Sequence, residues 1–224
     1  ALFDFYPFFL ANSGGEQLVA DGAATFTSPE GLETLEFWKT LYAEGYSSAE
    51  AYSGDAWAGP FADGVAAMGI AGPWGAAQFE GKVEFGVVPL PTADGIPLAE
   101  TYTFGDSKNV GIYSSCENKQ TAWDFTQFSM NADNDLALLE TTGQFPIRTD
   151  LTEVAADYLA GDPLLATFAE EVPLTVDVPN IANASEIWQT FRDAWGAAVQ
   201  TGSADLDETM QSAADTIDQL ASQG

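Results

Sequence analysis

The stretch Phe61-Ala62-Asp63-Gly64-Val65-Ala66-Ala67-Met68-Gly69-Ile70-Ala71-Gly72-Pro73-Trp74 constrains the fold of this 224-residue chain more than any other. It reads as the end of a short helix, a glycine turn, a buried strand and a Gly-Pro corner that presents a tryptophan. Residues 65–70 are small and almost wholly apolar, the pattern of a strand covered on both faces. Gly72-Pro73 stops regular structure, because proline has no N–H for a ladder and fixes its own φ. Trp74 then falls just beyond the strand's carboxyl end, where open α/β sheets bind ligands. The plainer alternative is a tryptophan of the core.

The rest of the chain reads as α/β, with helices gathered towards the C-terminus. Ser28 is an N-cap and Pro29 a first-turn residue, so a helix is expected to start there. Leu32, Leu35, Trp38 and Leu41 define its buried face, and Gly45 ends it. Residues 105–112 look like a loop feeding a strand, in which Val110 and Ile112 alternate with Gly111. Lys119 to Met130 carries Ala122, Phe125, Thr126 and Ser129 on helical spacing, and a second helix covers Asn134 to Thr141, closed by Gly143. Near the end, Ser185 caps a helix through Ile187, Trp188, Phe191 and Trp195 to Val199, with Gly202 as the break. A last helix follows, with Leu206, Met210, Ala213, Ile217 and Leu220 as an apolar stripe.

Composition narrows the function. There are 6 basic and 34 acidic residues, giving a net charge of −28. Nucleic acid is excluded as a partner on this balance, since phosphate neutralisation needs clustered Lys and Arg. Anionic membrane surfaces are disfavoured for the same reason. The acids are dispersed, which suits a self-repelling surface in an exposed or salty setting. With 46% hydrophobic and 12% aromatic residues, the chain has enough apolar surface to pack. A lone cysteine, Cys116, and no histidine leave neither an intrachain disulfide nor the usual zinc or histidine-based sites, and no cofactor or metal is called for.

Four landmarks in order carry a family resemblance: Thr27-Ser28-Pro29-Glu30-Gly31, the stretch from Phe61 to Trp74, Phe85-Gly86-Val87-Val88-Pro89-Leu90-Pro91, and Val178-Pro179-Asn180-Ile181 leading to Trp188. They resemble the sugar- and oligosaccharide-binding branch of the extracellular solute-binding proteins of ABC importers, to which maltose-binding protein belongs. The resemblance implies the C-terminal lobe of a two-lobed, periplasmic-binding-protein-like α/β fold. Residues 1–104 would form the first part of that lobe and 105–147 would cross to a mostly missing N-terminal lobe. Residues 148–224 would be the helical return. The chain is therefore expected to be a fragment of a longer protein. Its middle segment, without the sheet it packs on in the family, is expected to be mobile, swapped or rebuilt.

The resemblance also implies a function and a site. The expected ligand is an oligosaccharide, and the partners are the permease subunits of the importer. The place is outside the cell or in the periplasm, as a cell-surface lipoprotein, with membrane association only through a missing lipid anchor or permease docking. A sugar ring offers an apolar C–H face to aromatic rings and a belt of hydroxyls to polar groups. Trp74 and Trp188 match positions that stack sugar rings, whereas Trp38, Trp123 and Trp195 read as packing residues. Trp57 lies in a glycine-flanked stretch near the expected rim. Phe3 aligns with a cleft tyrosine and lacks its hydroxyl; Asp4 beside it is a cleft carboxylate or a helix cap. Gly105 and Asp106 fall where the family chain crosses the cleft floor. Arg148 is a ligand donor or a surface charge paired with the abundant acids. Two other readings are a glycoside hydrolase, which needs only two carboxylates, and a carbohydrate-recognition module unconnected with transport.

Overall fold

The computed structural model describes residues 2–48, 59–92 and 95–223. In chain order it begins with helix α1 (Phe5–Ser13), strands β1 (Val19–Ala20) and β2 (Ala23–Ala24), and helix α2 (Pro29–Ala43). Short helices α3 (Gly59–Ala62) and α4 (Gly75–Phe79) precede strand β3 (Thr103–Phe104). Helices α5 (Lys119–Ser129), α6 (Ala132–Thr142), α7 (Leu151–Val154), α8 (Ala156–Gly161) and α9 (Pro163–Glu171) follow. Strand β4 (Thr175–Val176) and helices α10 (Ala184–Trp195) and α11 (Leu206–Ala221) complete a helix-rich α/β chain. No described helix is long and apolar enough to cross a membrane.

Two compact units result: the described residues of 1–56, 90–105 and 174–224, and those of 57–89 and 106–173. In the first unit, α1 ends where Gly14 turns left-handed and donates its N–H to the Leu10 carbonyl. The expected cap of α2 is present: Ser28 Oγ accepts from Gly31 N at 3.2 Å, with Pro29 opening the first turn. The buried face of α2 is rotated from the leucine stripe, because Thr34 lies inside with Leu35 and Trp38, while Leu32 and Leu41 are half-buried. Thr34 tolerates burial because its hydroxyl donates to the Glu30 carbonyl and accepts from Asn12 Nδ2.

Helices α10 and α11 close this core. α10 begins one residue before the expected cap: Asn183, at φ 57°, holds the cap position and Ser185 lies inside the first turn. The Asn183 side chain instead donates from Nδ2 to the Leu220 carbonyl, tying the start of α10 to the end of α11. A π turn, Gly196–Gln200, then leads to α11, where the Asp205 carboxylate accepts from Glu208 N. Leu206, Met210, Ala213 and Ile217 are buried as the stripe predicts, and Ala214 joins them. Phe191 packs on Phe5 at 5.0 Å and on Phe26 at 4.9 Å between ring centroids. Trp195 (1% exposed) and Trp38 (6%) are core residues as expected. Their indole N–H groups find no acceptor among the described residues, a cost of about 1–3 kcal/mol each that the roughly 150–250 Å² of buried ring surface offsets.

The second unit is held by smaller clusters. Leu139 of α6 packs with Leu151, Leu159 and Leu165 from α7 to α9. Asn131 caps α6 by accepting from Asn134 N, and Gly143 ends it in the left-handed conformation. A separate cluster joins Ala62 and Phe79 with Phe61 and Phe85.

Three expectations fail here. Residues 65–70 form no strand; Val65 is 72% and Met68 86% exposed. Val110 and Ile112 likewise lie in exposed chain outside any ladder. A strand of this kind is stable only when neighbouring strands take its N–H and C=O groups, and no described strand lies beside either stretch. Trp123 is 50% exposed rather than packed, since α5 buries none of its side chains. The helix itself forms as expected, with Ala122 and Thr126 half-buried and Phe125 exposed.

Candidate functional site

Strand β3 pairs in parallel with β4, Thr103 opposite Thr175 and Phe104 opposite Val176. This pairing sets Phe104 beside the start of α1. Phe3 meets Phe104 edge-on at 5.8 Å, Phe104 meets Tyr6 at 5.6 Å, and Tyr6 meets Trp188 at 5.4 Å with the rings 83° apart. Four aromatic rings therefore line one corner of the first unit. Trp188 and Phe3 remain half-buried, so part of each ring faces outward, whereas Tyr6 is fully buried.

Polar groups pin this corner. Tyr6 Oη donates to the Asp177 carbonyl at 3.0 Å, and Gln17 Nε2 donates to the same oxygen at 2.8 Å. Burial pushes the Tyr6 phenol well above its usual pKa, with the Asp177 charge acting in the same direction, so it stays a neutral donor. Gly105 N donates to the Val176 carbonyl at 3.1 Å, extending the ladder by one bond. A Cβ at Gly105 would come within 2.8 Å of the Thr175 side chain, so glycine is required for the close approach. Asp4 occupies the N-cap position of α1, but its side chain makes no capping bond.

The other candidates lie in the second unit. Trp74 is half-buried at the N-cap of α4, with its ring folded over Gly72; any side chain at 72 would collide with the six-membered ring. The Gly-Pro-Trp sequence is thus a device for laying an indole back on its own corner. Asp106 is exposed and paired with Lys108. The Arg148 guanidinium is engaged by Asp150 at 2.8 Å and Asp135 at 2.9 Å, tying the segment after α6 back to that helix. These bonds raise the Arg148 pKa and hold the Asp150 carboxyl below the usual range. Trp57 lies outside the described residues.

The structure therefore gathers Phe3, Gly105 and Trp188 into one corner of the first unit. Trp74, Asp106 and Arg148 belong to the second. Sequence reasoning missed Tyr6, Phe104, Gln17 and Asp177. The alternation of Tyr102 and Phe104 with Thr101 and Thr103 was the one local signal for β3; the partner β4 lies some seventy residues away in sequence. An aromatic corner with carboxylates beside it can cover an apolar ligand face and bond a rim of hydroxyls.

Residues 3–167 match the family model of the bacterial extracellular solute-binding proteins, and the chain belongs to that family. It is 27% identical over 176 residues to a maltooligosaccharide ABC transporter solute-binding lipoprotein of Streptococcus pneumoniae, covering 77% of this chain and 40% of the relative. The sugar-binding protein MalE of Xanthomonas citri superposes over 100% of this chain and 56% of its own, with a TM-score of 0.80 at 20% identity. The maltotriose-binding protein of Thermus thermophilus, solved with maltotriose, superposes over 97% of this chain and 58% of its own, with a TM-score of 0.69 at 25% identity. The fold is thus that of a lobe of the periplasmic-binding-protein type, and the chain spans about half the length of the relatives it matches.

Proposed function

We propose that this chain supplies one side of the cleft of an oligosaccharide receptor that delivers its ligand to the permease of an ABC importer. The observation that carries this reading is the aromatic corner of Phe3, Tyr6, Phe104 and Trp188, in which Phe3 and Trp188 remain partly exposed. Each unit carries one tryptophan that stacks on the C–H face of a sugar, Trp188 in the first and Trp74 in the second. Asp4 and Asp106 accept from hydroxyls, Gly105 lets the chain approach closely, and Arg148 acts through the two carboxylates it holds. In the two-lobed whole, residues 1–104 and 148–224 belong to the C-terminal lobe and 105–147 complete the N-terminal one. The packing units cut across this division, since 59–89 pack with 106–173. Binding closes the cleft about the crossings, and the closed form docks to the permease from the extracellular or periplasmic side, the protein being held there as a lipoprotein.

The test is a titration with a panel of oligosaccharides of differing linkage and length, read by tryptophan fluorescence. A saturable response to one class is expected. Trp188→Ala and Trp74→Ala should each weaken it by about 2 kcal/mol, roughly thirtyfold in Kd, with the far-UV signal unchanged. Silence across the panel from folded protein, or undiminished affinity in both variants, overturns the assignment. Turnover of the bound sugar would favour a glycoside hydrolase instead.

A further inference from the structure

We propose that the folding of this chain is controlled by the ionic strength of its surroundings, through diffuse screening by monovalent cations rather than a bound ion. The proposal is independent of the ligand reading. Its basis is a net charge of −28 on 224 residues, with six cations to set against thirty-four carboxylates.

The structure shows how the carboxylates are left. Among the described residues the ion pairs join Lys39 to Glu36, Lys108 to Asp106, and Arg148 to Asp135 and Asp150. Helix α11 has no Lys or Arg between Leu206 and Ala221, yet carries Asp207, Glu208, Asp215 and Asp218. On α2, Glu30, Glu33 and Glu36 recur at i,i+3 on the exposed side, where like charges repel. Three helices bond an exposed aspartate with a neutral amide one turn earlier: Gln120 to Asp124, Gln189 to Asp193, and Gln211 to Asp215. Each bond satisfies a carboxylate without neutralising it, so compaction concentrates negative charge that local pairing does not cancel.

Self-repulsion of this kind opposes the compact state and is relieved by salt, since the Debye length falls from about 10 Å at 0.1 M to about 3 Å at 1 M. Among the described residues no three Asp, Glu, Cys or His side chains group closely enough to hold a metal ion. The response is therefore expected to follow ionic strength and not the identity of the cation.

The experiment is unfolding of the chain at neutral pH in NaCl and KCl from about 0.05 to 3 M, followed by circular dichroism and tryptophan fluorescence. The midpoint should rise on the order of 10 °C, steepest below about 0.5 M, with the two cations superimposable. Sodium sulfate at equal ionic strength should follow the same low-salt limb, and sucrose should not reproduce it. A variant combining Glu30→Gln, Glu33→Gln, Asp207→Asn, Glu208→Gln and Asp215→Asn should be more stable in low salt and respond less to added salt. A chain unfolded in low salt that folds as salt is added also supports the proposal. It is overturned by a flat or falling midpoint, by a preference for one cation, by a rise confined to molar sulfate, or by an unaltered salt response in the variant. A chain that stays unfolded in about 3 M salt overturns it as well.

Discussion

The two units solve the same problem with unequal success. In the first, α1, α2, α10 and α11 each turn an apolar face inward, and Phe5, Phe9, Phe191, Trp195, Met210 and Ile217 are all removed from solvent. In the second, α6 to α9 share one small cluster, while α5 leaves Trp123, Phe125 and Phe128 exposed. Both regions contain well-formed helices, including 11-residue α5 and α6 in the second, so helix formation alone is not what separates them. The difference is whether a second apolar surface exists within reach. A helix marks its face locally, but that face contributes to stability only when something covers it.

The largest effect that sharpens this contrast is expected at the closed core. Trp195→Ala, and to a similar extent Trp38→Ala, should cost about 3–5 kcal/mol in chemical denaturation, the usual range for truncating a buried aromatic. Parent-like melting of either variant would break the picture of a closed first unit. Next in size is Gly72→Ala, where the new methyl meets the Trp74 ring. A cost of about 1–3 kcal/mol is expected, together with an altered Trp74 emission as the ring is displaced. Unchanged emission would mean that the indole does not lie over that glycine.

Smaller, and opposite in sign, are two carboxylates of the second unit. Glu171 is pushed above its usual pKa by burial and by neighbouring Glu170, and its Oε1 has no partner among the described residues. Its contribution is present below its unfolded pKa and is lost as pH rises through the folded value, so Glu171→Gln should be more stable than the parent at neutral pH and equal to it in acid. Asp150 is held low by hydrogen bonds from Arg148, so its contribution is present above its unfolded pKa and lost as pH falls through the folded value. Asp150→Asn should therefore be less stable at neutral pH and converge with the parent in acid. Melting curves of both variants against pH, taken in about 1 M salt to suppress general repulsion, check the signs. The smallest change is expected for Phe125→Ser on α5, within about 0.5 kcal/mol of the parent. A large loss there would show that α5 is packed and would erase the contrast between the units.

Much of the helical framework is legible in the sequence alone. Ser28-Pro29 placed the start of α2, Gly143 placed the end of α6, and the stripe from Leu206 to Ile217 named the buried face of α11. Such signals act within one or two turns, so they survive whatever the rest of the chain does. Ser185 misled because Asn183 adopts a left-handed cap whose side chain serves α11, a partner distant in sequence. The strands fared worst. Apolar residues at 65–70 and 110–112 satisfied the pattern, but pairing requires a neighbour that the pattern cannot supply. The candidate site was half legible. Trp188 and Phe3 stood out by resemblance, whereas Tyr6 and Phe104 became visible only when β3 met β4.

The sequence by itself determined the start of α2, the end of α6, the buried stripe of α11, the acidic character and the family, because each is written in neighbouring residues or in their sum. Only the tertiary structure decided which apolar segments are covered, that Arg148 is engaged by Asp135 and Asp150, and that rings from three separate segments share one corner. The reason is physical. Burial and the pairing of β3 with β4 are relations between groups far apart along the chain, and each takes its value from the partner that the fold brings to it.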